Sequence, residues 1–279
     1  MRCYKFFTLL LCSTILGTLN AAVVVEGTPG VSGNLATVDG NEAGSFNYAN
    51  PVSGEFLVVT LAGQAAGNTV NNNYNSANIS VTYNNVALTL GTFGTNSNDG
   101  FAGVWYLSDP IADGSAYSLD VSFTPGIFSG EAASGSWQFG AISLSNVNEA
   151  DPFASVVSAG ASVTDQDFSI SPDGGQTINA GDFLVLTDTI QAVSLGGNHF
   201  ETATDGQTDL YHFEDGNGYS SIYQVLTSSD ILGGDVPMTD VNNGNKYLAQ
   251  GLVINAIPEP SSFALILLSM FAVVAFRRK

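Results

Sequence analysis

The chain is predicted to be all-β, built as an antiparallel β-sandwich or jelly-roll-like domain. Three observations predict it. Apolar residues alternate with polar ones over short runs: Ile79, Val81 and Tyr83 in Asn78-Ile79-Ser80-Val81-Thr82-Tyr83, and again in Leu119-Asp120-Val121-Ser122-Phe123 and Phe168-Ser169-Ile170. Such period-two runs bury one face and wet the other. Turn signals separate the runs: Asn84-Asn85, Asp99-Gly100, Asp113-Gly114, Pro125-Gly126, Asp173-Gly174-Gly175 and Asp215-Gly216. Between residues 22 and 256 no helical periodicity is sustained, and many short strands with frequent turns suit a sandwich or jelly roll.

Taken from the start, Arg2 and Lys5 form a positive region ahead of the apolar, uncharged stretch from Phe6 to Leu19. That is the pattern of an N-terminal signal helix, with Ala21 or Ala22 as the small residue for signal-peptidase cleavage. Residues 1–21 are therefore expected to be a signal peptide. Leu11 precedes Cys12 where a lipobox needs a small residue, which argues against lipoprotein processing.

The body, residues 22–256, is read as one acidic sandwich with two related halves, about 54–147 and 181–256. Gly54-Glu55-Phe56-Leu57-Val58-Val59-Thr60 matches Gly181-Asp182-Phe183-Leu184-Val185-Leu186-Thr187, and Phe139-Gly140-Ala141-Ile142-Ser143-Leu144 matches Gln250-Gly251-Leu252-Val253-Ile254-Asn255. Two copies do not make a solenoid. Phe56–Val59 and Leu252–Ile254 are unbroken apolar runs, expected as central strands covered on both faces. The Asn-rich stretch from Asn68 to Asn78 is expected to be a surface loop.

Composition excludes several functions. The formal net charge is −19. Five of the six basic residues lie in the terminal segments, leaving Lys246; only Glu259 among the twenty-five acidic residues lies outside the body. A body with 24 acidic side chains and one lysine cannot neutralise phosphates, so nucleic acid is excluded as a partner. It is suited to saline surroundings, where screening suppresses its self-repulsion. Both cysteines, Cys3 and Cys12, fall in the signal segment, so the body has neither a disulfide nor a thiol nucleophile.

Residues 257–279 differ from everything before them. Pro258-Glu259-Pro260 is followed by an apolar run from Phe263 to Phe276 and then Arg277-Arg278-Lys279. Nine of the fourteen residues in the run are Leu, Ile, Val or Phe, worth roughly 3–5 kcal/mol of membrane insertion. A helix over 263–276 is about 21 Å long, and Ser261, Ser262 and a snorkelling Arg277 extend it. The basic cluster keeps this single transmembrane helix cytoplasmic at its end, with the body on the other side. A Pro-Glu-Pro box, an apolar helix and a basic terminus in that order resemble the PEP-CTERM sorting signal of Gram-negative bacteria. The resemblance implies export, an inner-membrane intermediate, and processing by exosortase after signal peptidase. It assigns Pro258, Glu259 and Pro260 to the recognition box and Arg277 and Arg278 to the basic end.

The stretch from Val81 to Phe123, with Val104-Trp105-Tyr106-Leu107-Ser108-Asp109-Pro110 inside it, is similar to a sandwich module of bacterial secreted and surface proteins. That resemblance implies no catalytic activity. His199 and His212 stand in no nucleophile or zinc-ligand pattern and are expected to be ordinary surface or edge residues. No pair of carboxylates is singled out for glycoside hydrolysis among so many. Calcium is the one candidate ion, through Asp165, Asp167 and Asp173 around one turn and Asp215 and Asn217 around another, without EF-hand or RTX spacing. Trp105 and Tyr219 are the candidate stacking platforms for a carbohydrate, against a core role as the commoner fate of such rings. The expected function is that of a non-enzymatic structural protein of the cell surface or exopolysaccharide matrix. A calcium-assisted carbohydrate-binding module and a carboxylate-based glycoside hydrolase or lyase are the alternatives.

Overall fold

The structure is a computed structural model, which describes residues 21–36, 43–64, 76–95, 100–124, 136–161, 167–191, 199–214, 217–240 and 246–258. The segment before Ala21 expected to be a signal peptide, the apolar run 263–276, Asp165, Asp215 and the residues after Pro258 lie outside the described residues.

Eighteen strands are described, with one 3-10 turn at Ser76–Asn78 and no α-helix. The first ten are β1 (Val24–Val31), β2 (Leu35–Ala36), β3 (Ala43–Ala49), β4 (Phe56–Gln64), β5 (Ile79–Tyr83), β6 (Val86–Ala87), β7 (Thr89–Thr95), β8 (Gly100–Ser108), β9 (Ala116–Phe123) and β10 (Ser136–Ser145). The rest are β11 (Phe153–Ala161), β12 (Phe168–Ile170), β13 (Phe183–Gln191), β14 (Phe200–Glu201), β15 (Thr208–Glu214), β16 (Asn217–Val225), β17 (Val236–Asp240) and β18 (Lys246–Ile254).

The two halves have one topology. In the first, β1-β10-β4-β8-β7 form an inner sheet and β3-β9-β5-β6 an outer one; in the second, β11-β18-β13-β16-β15 form the inner sheet and β12-β17-β14 the outer layer. All pairings are antiparallel. With β2 and β6 set aside, each half has eight strands, and strands of equal rank occupy equal places. Successive strands alternate between the two sheets until the β7–β8 or β15–β16 hairpin, which is a jelly-roll winding. In the first half one strand switches layers: β6 pairs with β5 in the outer sheet, and the chain continues through Leu88 into β7 of the inner sheet.

The inner sheets pack face to face, giving four layers. β4 lies over β13 and β16, β8 over β13 and β18, β7 over β18 and β11, and β15 over β1 and β10. The strand order of one inner sheet thus runs opposite to the other, as in a two-fold dimer contained in one chain. Alternation along β4 fills two cores at once. Leu57, Val59 and Leu61 face the outer sheet beside Val81, Leu119, Val121 and Trp137, while Phe56 and Val58 meet Phe183, Val185, Leu252 and Ile254. Leu184 and Leu186 of β13 point away into a third core with Ile222, Val236, Met238 and Val253. Burial on both faces is why these strands read as continuous apolar runs. Each fully covered side chain of this size contributes about 1.5–3 kcal/mol.

The turn chemistry follows the sequence. Asn84 and Asn85 both have positive φ (49° and 63°), the two-residue connection that the right-handed twist of β5 and β6 favours. Glycine is required where β18 runs close beside β13 within their sheet: a Cβ on Gly251 would stand 2.5 Å from the carbonyl oxygen of Val185.

Candidate functional site: the pole where the tail leaves

The end of the body is held by residues from both halves. Beyond β18, Val147 and Ala256 form an antiparallel bridge. The amide of Ala256 donates to Asp182 Oδ1 (2.9 Å), and the amide of Ile257 to the carbonyl of Asn146 (2.9 Å). Asp182 is 1 % exposed, and its other oxygen accepts the amide of Asn179 (2.7 Å). Burial pushes its carboxyl above the usual aspartate range, and the backbone donors only partly offset this.

The other end of the body reaches the same place. The amide of Ala21 donates to the carbonyl of Ile257 (3.1 Å), the amide of Val23 to that of Gly181 (2.9 Å), and Asn146 Nδ2 to the carbonyl of Ala22 (3.2 Å). Gly181 has φ +98°, and its α-carbon lies against Ala22. The segment entering the body at Ala21 and the one leaving at Ile257 are therefore neighbours. Ile257 is 40 % exposed and Pro258 is exposed. The Pro-Glu-Pro box thus begins at an exposed residue of this pole, next to Ile257.

Residues 256–279 match the family model of the PEP-CTERM protein-sorting motif. The chain carries a PEP-CTERM sorting motif. No curated protein matches the chain. The PEP-CTERM tail marks the protein for export and membrane-associated sorting to the cell surface, with exosortase as its processing enzyme. Of the five assigned motif residues, Pro258 is at the exit just described; Glu259, Pro260, Arg277 and Arg278 lie outside the described residues.

The remaining candidates sit elsewhere on the PEP-CTERM protein's body. Asp173 is a turn anchor: its Oδ2 accepts the amide of Val156 (2.7 Å), its own amide donates to Ala154 (2.9 Å), and Gly174 and Gly175 follow at positive φ. Asp167 is exposed at the start of β12. Asn217 opens β16 opposite Gln191. Asp165 and Asp215 are among the undescribed residues. Among the described residues no group of three or more His, Cys, Asp or Glu side chains could hold a metal ion.

Both aromatic platforms are interior. Trp105 is 3 % exposed and meets Phe93 edge-on at 6.0 Å. Tyr219 is 0 % exposed, stacks on Phe213 at 5.1 Å, and donates its hydroxyl to Asn34 (2.8 Å). Burial pushes its phenol up to about 12. A ring with no free face cannot stack on a sugar, so the assignment of these two residues as carbohydrate platforms is corrected. Alternation puts them there: Trp105 falls on the outer-sheet side of β8 and Tyr219 on the inter-sheet side of β16.

His199 also differs from the surface or edge position expected of it. It is fully buried, with Nδ1 against Asp188 Oδ1, and Asp188 Oδ2 accepts the Ser220 hydroxyl (2.8 Å). His212 stacks edge-on to it at 5.3 Å. The carboxylate lies between serine and imidazole, whereas activation of a serine needs the imidazole in the middle. Asp188 is the member that sequence reading passed over. Its signal was an aspartate in the apolar run of β13, on the side facing the third core. Asp182 was visible only as half of a repeated pair, Glu55 and Asp182.

Proposed function

We propose that the body is a non-enzymatic, acidic building block of the cell surface or the exopolysaccharide matrix, and that tail processing near Pro258-Glu259-Pro260 delivers it there. The observation that carries this reading is the shared exit. Backbone hydrogen bonds hold the chain through Ile257, and the box starts at the next residue. Five residues separate Ile257 from the apolar run at Phe263, a reach of at most about 17 Å. While the tail is inserted, the Ala21–Ile257 pole faces the membrane and the processing box stays beside it. Pro258, the first residue of the box, is exposed in the folded body, which supports processing of a folded substrate.

The body's chemistry supports a structural role. Its large aromatics fill cores, and interior hydroxyls bond one another: Ser221 Oγ donates to Thr60 (3.0 Å) across the inner sheets, and Tyr211 and Thr187 share a hydrogen bond (3.2 Å). The acidic exterior keeps the block soluble.

Intact mass and fractionation of the protein from its host test the proposal. A product beginning near Ala22 and ending close to Pro258, outside the inner membrane, is the expected result. A product that keeps Arg277 to Lys279 in the inner membrane would replace it with a permanently anchored domain.

A further inference from the structure

The pole where the tail leaves carries aliphatic side chains at the tips of its connections. Val52, in the turn closed by the Gly54 amide on the Pro51 carbonyl between β3 and β4, is 77 % exposed, and Ile111 on the β8–β9 connection is 42 % exposed. Asn50 ties these connections together: its Nδ2 donates to the carbonyls of Gly54 and Ile111, both at 3.0 Å. In the second half the connection of equal rank, β16–β17, turns tightly at Gly233 and Gly234, both at positive φ, and Leu232 stands 75 % exposed on that turn.

Both sets of tips are fixed to the exit. Glu55, just after the first turn, accepts the amide of Asn146, whose carbonyl accepts the amide of Ile257. The β16–β17 connection starts at Leu226, whose backbone bonds Gly181 and Asp182 (2.8 Å each), and Asp182 holds Ala256. Ile111 and Leu232 therefore stand on opposite sides of the exposed Ile257, one from each half.

We propose that this pole seats on a zwitterionic lipid surface while the tail is inserted, with Val52, Ile111, Leu232 and Ile257 reaching the boundary of the acyl chains. The inference rests on the membrane insertion of the tail argued above. The occupant follows from the chain beyond the pole. The five residues between Ile257 and Phe263 reach at most about 17 Å, whereas four stacked sheets span about 30 Å. The tether is shorter than the face is wide, so a body whose tail is inserted keeps part of this face against the headgroups.

Charge selects the headgroup. Asp109 and Asp113 flank Ile111, Asp235 follows Leu232, and Glu55, Glu149 and Asp151 lie between, with further acids on the β12–β13 and β14–β15 connections. These carboxylates repel anionic lipid, but on phosphatidylcholine or phosphatidylethanolamine they meet the outward ammonium groups. The aliphatic tips pass between the headgroups, as on other interfacial surfaces. So few tips hold the body only at the high effective concentration that the tether supplies. Removal of the tail then frees the whole face.

Single cysteines report the contact, since the body has none of its own. In the tail-retaining chain with Cys3→Ser and Cys12→Ser, each of Val52→Cys, Ile111→Cys and Leu232→Cys is labelled with an environment-sensitive dye. The chain is reconstituted into phosphatidylcholine vesicles doped with a spin-labelled lipid. Blue-shifted emission, quenched by the lipid, is expected at all three sites and not at Thr95→Cys, exposed at the far end of β7. Phosphatidylglycerol should lessen the quenching at low salt, and added salt should restore it. A chain that floats with the vesicles while the three labels are quenched no more than the one at Thr95 overturns the proposal and leaves the tail reading intact. A chain that does not float overturns both. A blue shift that follows protein concentration and not lipid identifies a second copy as the occupant and also overturns it.

Discussion

Glu55 and Asp182 occupy equivalent positions in the two halves, and each accepts a backbone amide within two residues of the end of its half's closing strand. Glu55 Oε2 accepts Asn146 at 3.3 Å and Asp182 Oδ1 accepts Ala256 at 2.9 Å. The surroundings differ: Glu55 is exposed, whereas Asp182 is enclosed between Asn179 and the strap at Ala21–Val23. The same sequence position is a surface contact in one half and a buried pin beside the sorting tail in the other.

Asp182→Ala strands two backbone donors, those of Asn179 and Ala256. Removing the acceptor of buried donors should cost about 2–4 kcal/mol. Denaturant unfolding measures it, and limited proteolysis should show faster cleavage around residues 255–258. A variant with wild-type stability and an unchanged cleavage pattern would show that the pin is idle.

The pH dependence of Asp182 has a definite sign. Its carboxyl is raised in the folded state by burial, so between about pH 4, the unfolded value, and the folded value the native state binds the extra proton. Over that window its contribution to stability falls as pH rises, and above it the contribution is constant. Comparing wild type with Asp182→Asn across that window should show the difference in stability changing in this direction only.

Asp230 behaves oppositely. Burial works against its charge, yet Thr204 Oγ1 (2.6 Å), Thr227 Oγ1 (2.7 Å), Thr227 N (2.9 Å) and Gln224 Nε2 (3.0 Å) donate to it and hold its carboxyl below the usual range. Its stabilisation is full above about pH 4 and is lost as pH falls through the folded value. Asp230→Ala should cost about 2–4 kcal/mol near neutral pH and flatten the acid limb of the stability profile.

Two close approaches, one between the inner sheets at Gly140 and one within a sheet at Gly251, rank two glycine substitutions. In Gly140→Ala the new methyl meets the end of the Leu210 side chain (2.6 Å), which can rotate aside; in Gly251→Ala it meets the Val185 carbonyl (2.5 Å), which is fixed in the ladder. Gly251→Ala should therefore cost more, about 2–4 kcal/mol against about 1–2 for Gly140→Ala. Thermal melts of the two variants give the order, and the reverse order would contradict the close approach of β18 to the Val185 carbonyl of β13.

Trp105→Ala and Tyr219→Ala should each lower stability by about 3–5 kcal/mol, because they empty core positions. A glycan array on a variant that remains folded distinguishes this from a ligand role: selective loss of binding at full stability would restore the platform reading.

The local pattern was open to inspection in the residues themselves. Period-two alternation marks β5 and β9, unbroken apolar runs mark β4 and β18, and Asn84-Asn85 marks a hairpin, since each depends on backbone geometry and on which faces are covered. The repeated heptapeptide marks β4 and β13 as counterparts, and residues 258–279 announce the tail by composition alone. The partner of each face is a different matter. Alternation says that Trp105 and Leu57 point one way and Phe56 the other, but not that the second direction is filled by Phe183 and Leu252. Burial of Tyr219, enclosure of His199 by Asp188, and the meeting of Ala21 with Ile257 all join residues far apart in the chain. Local propensity acts over a few residues, whereas hydrophobic burial and hydrogen-bond satisfaction act on whatever the winding of the chain brings together. For that reason the strands and the sorting signal belong to the sequence, and the four-layer stack, the buried carboxylates and the pairing of Ala21 with Ile257 belong to the tertiary structure.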